Sequence, residues 1–340
     1  MSSYETRFCE TPDGVKIAYS TYGEGNPLLF VARWTYTLDY PIDSGLIGPL
    51  SRRRLVVGFD RRGIGASQRE IGDLSLDAAV SDVEAVVEAA QLERFDLIGS
   101  HDGAIVAAAY AAGHPAKVRR LVLLGLCRSM TAVFRPAAMR SLAEFVDVSW
   151  AGARRTMVAW ALRGGSPDVL EWAVDLFGRI MSPGVAKKYL VFLPALESSP
   201  FLPLISAPTL VLHRHDDPAL SLDEARSATA LIPASKLVVL EGSAPVWDER
   251  EAVAAEILKF LGEGEEVERP AGLTGREVEI LGLLAGGSSN REIARELSIS
   301  ARTAERHIGN IYLKIGARNR AEATAFAFRH RLVHPRRPSA

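Results

Sequence analysis

From residue 1 to about 262, short apolar runs alternate with longer stretches whose apolar positions recur at helical spacing. The runs are 15–21, 27–32, 55–59, 95–98, 121–124, 209–212 and 237–240. Several are continuously apolar rather than alternating, the pattern of strands buried on both faces. Stretches 75–90 and 249–261 read as helices between or after them. Strands and helices in turn predict an α/β fold, a mostly parallel doubly wound sheet with helices on both faces. The alternation breaks from about 126 to 204. That segment has helical spacing, no convincing strand and three of the five Trp (Trp150, Trp160, Trp172), so an inserted helical cap is expected.

Beyond an acidic, apolar-poor linker at 263–270, the pattern becomes purely helical over 271–335. Thr274 with Glu277 is a capping box for a helix to about 285, ended by Gly286-Gly287. Ser289 with Glu292 repeats the signal for a helix over 290–297. After the turn Ser298-Ile299-Ser300, Ser300 caps a third helix to about 315, stopped by Gly316, and Asn319 caps a fourth over 320–331. Ile280, Leu281, Leu284, Ile293, Leu297, Ile308, Ile311 and Ile315 supply the core of this small all-α domain.

Charge divides at the same place. Residues 268–340 hold 13 Lys and Arg against 7 Asp and Glu, and the rest of the chain holds 27 against 34. A basic terminal domain on an acidic body points to nucleic acid as its partner. Cys9 and Cys127 are the only cysteines, so neither a disulfide framework nor a cysteine-only zinc site is available. Metal binding by His213, His215, Asp216 and Asp217 is not expected, and no cofactor is. The polar opening Met1-Ser2-Ser3-Tyr4-Glu5 lacks a signal peptide's apolar core, and no apolar run is long enough to span a membrane. A soluble protein of the reducing cytoplasm is expected.

Candidate chemistry begins at Gly99-Ser100-His101-Asp102-Gly103, between the run 95–98 and the Ala-rich stretch 104–112. This is the strand–turn–helix setting of the G-x-S-x-G nucleophile elbow. Asp60-Arg61-Arg62-Gly63-Ile64-Gly65-Ala66-Ser67 matches D-x-R-G-x-G-x-S, and the strand at 209–212 leads into Asp216-Asp217-Pro218. Together these residues resemble the α/β-hydrolase fold over roughly 260 residues. The resemblance places the nucleophile at His101, the triad acid at Asp217 and the triad base at Pro245. Ala32-Arg33 stands where the family has an oxyanion-shaping His-Gly pair. Acyl transfer needs a nucleophile, a base, an orienting acid and an oxyanion hole. Proline cannot titrate, so the resemblance implies a hydrolase frame without catalytic residues. Arg33, Trp34, His101, Asp102, Asp217 and Trp247 are the candidates for lining a ligand pocket between sheet and cap. Several alternatives stay open. Arg33 can hold a carboxylate or sit in a surface ion pair. His101 can contact a ligand or simply fill the elbow. Asp102 reads better as an exposed carboxylate at a helix start than as a nucleophile.

Ser300-Ala301-Arg302-Thr303-Ala304-Glu305-Arg306-His307-Ile308, with Asn310-Ile311 and Lys314-Ile315-Gly316, resembles the DNA-binding domain of LuxR-type (GerE-like) regulators. Ala304 departs from the family's usual Val. The resemblance implies a helix-turn-helix whose third helix enters the major groove. Glu305 and Arg306 are then candidates for base edges. Arg302, Thr303 and Lys314 are placed for phosphates, and Asn310 lies on the same helix. The fourth helix, with Ala321, Ala323, Ala325 and Ala327, often pairs two subunits in that family, and the basic tail 329–337 can add phosphate contacts.

The sequence thus predicts a one-component transcription regulator with double-stranded DNA, a small-molecule effector and a second copy of itself as partners. RNA polymerase is a further candidate partner. The alternatives are an active ester or lactone hydrolase coupled to DNA binding, and an interaction scaffold whose pocket has collapsed.

Overall fold

Eight strands form one sheet in a computed structural model that describes residues 5–38, 45–161, 167–217, 220–242, 250–262, 271, 273, 275–297, 300–330 and 332. The strands are β1 (Arg7–Glu10), β2 (Lys16–Tyr22), β3 (Pro27–Val31), β4 (Leu55–Phe59), β5 (Phe95–Ser100), β6 (Val118–Leu124), β7 (Thr209–Arg214) and β8 (Ser235–Leu240). Their spatial order is β1-β2-β4-β3-β5-β6-β7-β8. The β1–β2 and β2–β4 pairs are antiparallel, and every later pair is parallel. β5 is buried at all six positions. It lies between β3 and β6, with Val31 opposite Gly99 and Ser100 opposite Leu124. The carboxyl end of this central strand is where an open α/β sheet presents a ligand crevice.

Helices cover both faces. α2 (Leu76–Ala89) and α3 (Asp102–Gly113) lie on one, α1 (Ile47–Ser51) and α9 (Arg250–Phe260) on the other, and α8 (Leu222–Thr229) links β7 to β8. The expected cap is α4 (Pro136–Val148), α5 (Trp150–Ala161), α6 (Pro167–Ile180) and α7 (Pro183–Ala195). It packs into the α2–α3 core through Met157, Phe177, Ile180, Tyr189 and Leu193.

The Asp60–Ser67 motif turns out to be a knot of hydrogen bonds rather than a source of chemistry. Asp60 accepts from the backbone N–H groups of Leu38 and Ala66, both at 2.7 Å. Ser67 Oγ donates to the Asp60 carbonyl at 2.5 Å and accepts from Ala18 N–H at 2.9 Å. Arg62, fully buried, pairs with Asp82 and Asp13. Gly65 has φ +57°, and a Cβ there would lie 2.0 Å from Asp60 Oδ2, so the turn admits only glycine.

The chain divides into two compact units, residues 1–264 and 265–340. The second is built of α10 (Gly275–Ala285), α11 (Asn290–Glu296), α12 (Ala301–Ile315) and α13 (Arg320–Arg329) around Ile280, Leu284, Ile293, Ala304, Ile308 and Ile311. Ser289 and Glu292 form the expected reciprocal capping box. Ser300 and Asn319 cap α12 and α13, and Gly316 ends α12 with a left-handed φ of 69°. Pro218, Pro245, Trp247, the linker 263–270, Thr274, Ser298, Ile299 and the tail 333–337 lie outside the described residues. Among the described residues no helix is long and apolar enough to cross a membrane.

Candidate functional site

At the end of β5 the chain turns sharply through His101, whose φ of 55° and ψ of −118° are sterically costly for a residue with a Cβ. The flanking glycines make the turn feasible. A Cβ on Gly99 would lie 2.6 Å from Ala104 Cα, and one on Gly103 would lie 2.4 Å from the Val31 carbonyl oxygen. His101 therefore occupies the elbow tip.

Its imidazole is held neutral. Burial, then the charge of Arg33, pushes its pKa down to about 4, with Asp217 acting in the opposite sense. Nδ1 is sealed from solvent and has no hydrogen-bond partner among the described residues. His213, at the end of β7, is also held below the usual imidazole value by burial, against the pull of Asp217. Asp217 Oδ1 accepts from Leu220 N–H at 3.0 Å. The structure thus brings Arg33, His101 and Asp217 into one electrostatic neighbourhood.

A cavity of about 50 Å³ opens beside His101. Phe30, Tyr36, Leu46 and Leu124 give it apolar walls, and Arg33, Ser100 and His101 give it polar ones. Among the described residues, Trp34, Asp102 and Asp217 are not in its walls, nor is any residue of the cap, in contrast to the expected pocket between sheet and cap. Trp34 instead stacks on Tyr189 of α7 at 5.4 Å and meets Phe177 of α6 edge-on at 5.8 Å. An indole this large buries its surface best in the cap's aromatic core.

Asp102 corrects a second expectation. It is 1% exposed, and its carboxylate is ion-paired with the buried Arg61. Burial pushes its carboxyl above the ordinary range, and Arg61 pulls it back. The same carboxylate accepts from Trp34 N–H at 3.3 Å. The Arg33 N–H donates to Ser100 Oγ at 3.1 Å. In this fold an oxyanion is bound by the N–H after the nucleophile and by one from the loop after β3. Here the loop donors are occupied by the protein's own Ser100 and Asp102.

Sequence reasoning did not single out Arg61 or Ser100. Arg61 reads as the variable position of its motif, and Ser100 sits one residue before the elbow tip. Only the fold shows that one closes an ion pair and the other lines the cavity.

In the second unit, Arg302, Glu305, Arg306 and Asn310 are exposed along one face of α12, opposite the buried Ala304, Ile308 and Ile311. Leu313, 83% exposed, extends that face. Thr303 is half-buried, with its hydroxyl 2.7 Å from Ser300 Oγ at the helix cap. Lys314, expected at a phosphate, points its Nζ at the buried Glu277 carboxylate 2.7 Å away. A carboxylate buried in a small core needs a cation, and this one takes Lys314. Arg320 donates to the carbonyls of Leu284, in the last turn of α10, and of Ser288, just beyond it.

An eight-stranded α/β sheet with a helical cap, followed by a four-helix unit with an exposed basic helix, defines a hydrolase-fold body carrying a DNA-reading module. Comparison with known proteins gives each part its family. The alpha/beta hydrolase fold matches residues 26–167, and the luxR family of bacterial regulatory proteins matches residues 271–327. The chain joins an alpha/beta hydrolase domain to a C-terminal LuxR-type helix-turn-helix DNA-binding domain. The AB hydrolase superfamily protein YisY of Bacillus subtilis is 26% identical over 74% of this chain and 98% of its own length. The transcriptional regulatory protein LiaR of Bacillus subtilis is 34% identical over 35% of this chain, a match spanning 59% of that regulator. A hydrolase from Pseudomonas aeruginosa PA01 shares the fold, with a TM-score of 0.66 and 22% identity over 76% of this chain and 98% of that one.

Proposed function

We propose that this protein is a transcription regulator whose hydrolase-fold domain recognises a small molecule without hydrolysing it. One observation carries the non-catalytic reading. The N–H groups of Arg33 and Trp34, in the loop that would help stabilise an oxyanion, are already bound by Ser100 Oγ and the Asp102 carboxylate, and the elbow carries a neutral imidazole. Removing one oxyanion donor typically slows acyl transfer about 10²–10³-fold, so a site with its donors engaged starts far behind. His101 in the nucleophile's place and Pro245 in the base's place point the same way. The cavity beside His101 supports recognition, because a small site with mostly apolar walls and few polar groups suits a ligand. The helix-turn-helix domain supplies the output at double-stranded DNA, and the protein acts there as a homodimer, in which two α12 helices read two half-sites.

The test uses purified full-length protein in two assays. Ester and lactone substrates should show no turnover above buffer, and a randomised duplex pool should yield a selected sequence. Turnover abolished by His101→Ala would establish a hydrolase coupled to DNA binding instead. Failure to enrich any duplex would remove the regulator reading.

A further inference from the structure

We propose that the cavity beside His101 binds the carboxylate of a small acid with a short apolar tail, the carboxylate resting against Ser100, Arg33 and His101 and the tail against Phe30, Leu46 and Leu124. This rests on the recognition reading above and gives it a ligand class.

Three observations lead to it. First, the polar walls are rich in donors. Ser100 is more than nine-tenths buried and its Oγ already accepts from Arg33 N–H. Among the described residues its own proton meets no acceptor, so the hydroxyl is left to donate into the cavity it lines. The Arg33 side chain, a donor with no acceptor atom, stands on the same wall. Second, Arg33 brings a positive charge to the elbow: after burial it is the largest influence holding His101 neutral, and Asp217 only opposes it in part. Third, the space is small and otherwise apolar. About 50 Å³ has room for the equivalent of a few waters, which suits a carboxylate and a short tail and excludes a large polar ligand. A carboxylate is the group that accepts several hydrogen bonds, carries the complementary charge and fits that space.

Isothermal titration of the full-length protein at pH 7 distinguishes the classes. The probes are butyrate and isovalerate, their primary amides, methyl butyrate and inorganic phosphate. The acids should bind at least about tenfold more tightly than the amides, which match them in shape but lack the charge. Ser100→Ala should weaken acid binding by about five- to tenfold. Arg33→Met should weaken it further, and Arg33→Lys should recover part of the loss. Thermal melting of each variant separates lost contact from lost fold. Amides binding as well as the acids, phosphate binding as tightly, or no probe binding at 10 mM (about 10 mM covers even weak ligands of this size) would overturn the carboxylate assignment. Hydrolysis of methyl butyrate would instead sink the non-catalytic reading. Acid binding that leaves DNA affinity unchanged would sink sensing while the carboxylate site stands.

Discussion

His101 stands where a reactive side chain would, in a conformation few residues tolerate, and it is held neutral by burial and by Arg33. That neutrality has a measurable consequence. Its pKa of about 4 lies below the ordinary imidazole value of 6.5, so between those values the unfolded chain binds more protons than the folded one. Stability from this residue is therefore complete above pH 6.5 and is lost as pH falls toward 4, by at most about 3 kcal/mol. His101→Ser keeps a residue the elbow accepts and removes the titration. Urea midpoints at pH 7, 5.5 and 4.5 should fall less steeply for the variant than for the parent, and parallel curves would refute a buried neutral imidazole. The neighbours that set this value are Arg33, Asp217 and His213. Arg33 and Asp217 were singled out beside His101 from the family resemblance, because each follows the carboxyl end of a strand, whereas His213 was not. The Arg61–Asp102 pair was not readable. Its members lie 41 residues apart and each resembles an ordinary surface charge, so only packing reveals that they meet.

Elements show the same division between local and distant causes. The helices of the second unit were legible because their caps are local: Ser289, Ser300, Asn319 and Gly316 fix ends within a few residues. β4 was legible because an apolar run buried on both faces has no other use. β1 went unseen, since Arg-Phe-Cys-Glu is four residues long, mostly exposed, paired with β2 alone at the sheet edge and packed on the core through Cys9. The partner of Lys314 was hidden for a related reason, as Glu277 lies 37 residues away on α10. On α12 the two kinds of residue predict separable behaviour. Arg306→Ala should relax sequence preference and cost about 1–3 kcal/mol at the preferred site. Lys314→Ala leaves Glu277 buried without its cation, so it should lower the melting stability of the second unit by about 1–3 kcal/mol and leave the salt slope of DNA binding unchanged. Binding isotherms across salt, read beside thermal melts, check both. A flattened salt slope with unchanged stability would return Lys314 to the phosphate backbone.

For the whole molecule, the proposed recognition by the hydrolase-fold domain has meaning beside a DNA-binding domain only if occupancy of one changes affinity at the other. Charge already separates their tasks. The acidic body repels the phosphate backbone, so the basic terminal unit supplies the electrostatic attraction. Coupling must then be a free energy between two sites, and such coupling is reciprocal. If an effector changes DNA affinity by some factor, DNA must change effector affinity by the same factor, whatever the mechanical route. A tenfold coupling corresponds to about 1.4 kcal/mol, the difference in effector binding between the free and DNA-bound protein. The measurement is a closed cycle with a selected duplex and a bound acid such as isovalerate. DNA affinity is read with and without acid, and acid affinity with and without DNA. Equal, non-unity factors on the two arms are expected. Factors of one on both arms would mean that the domains share a chain without sharing information, and the sensing reading would fall.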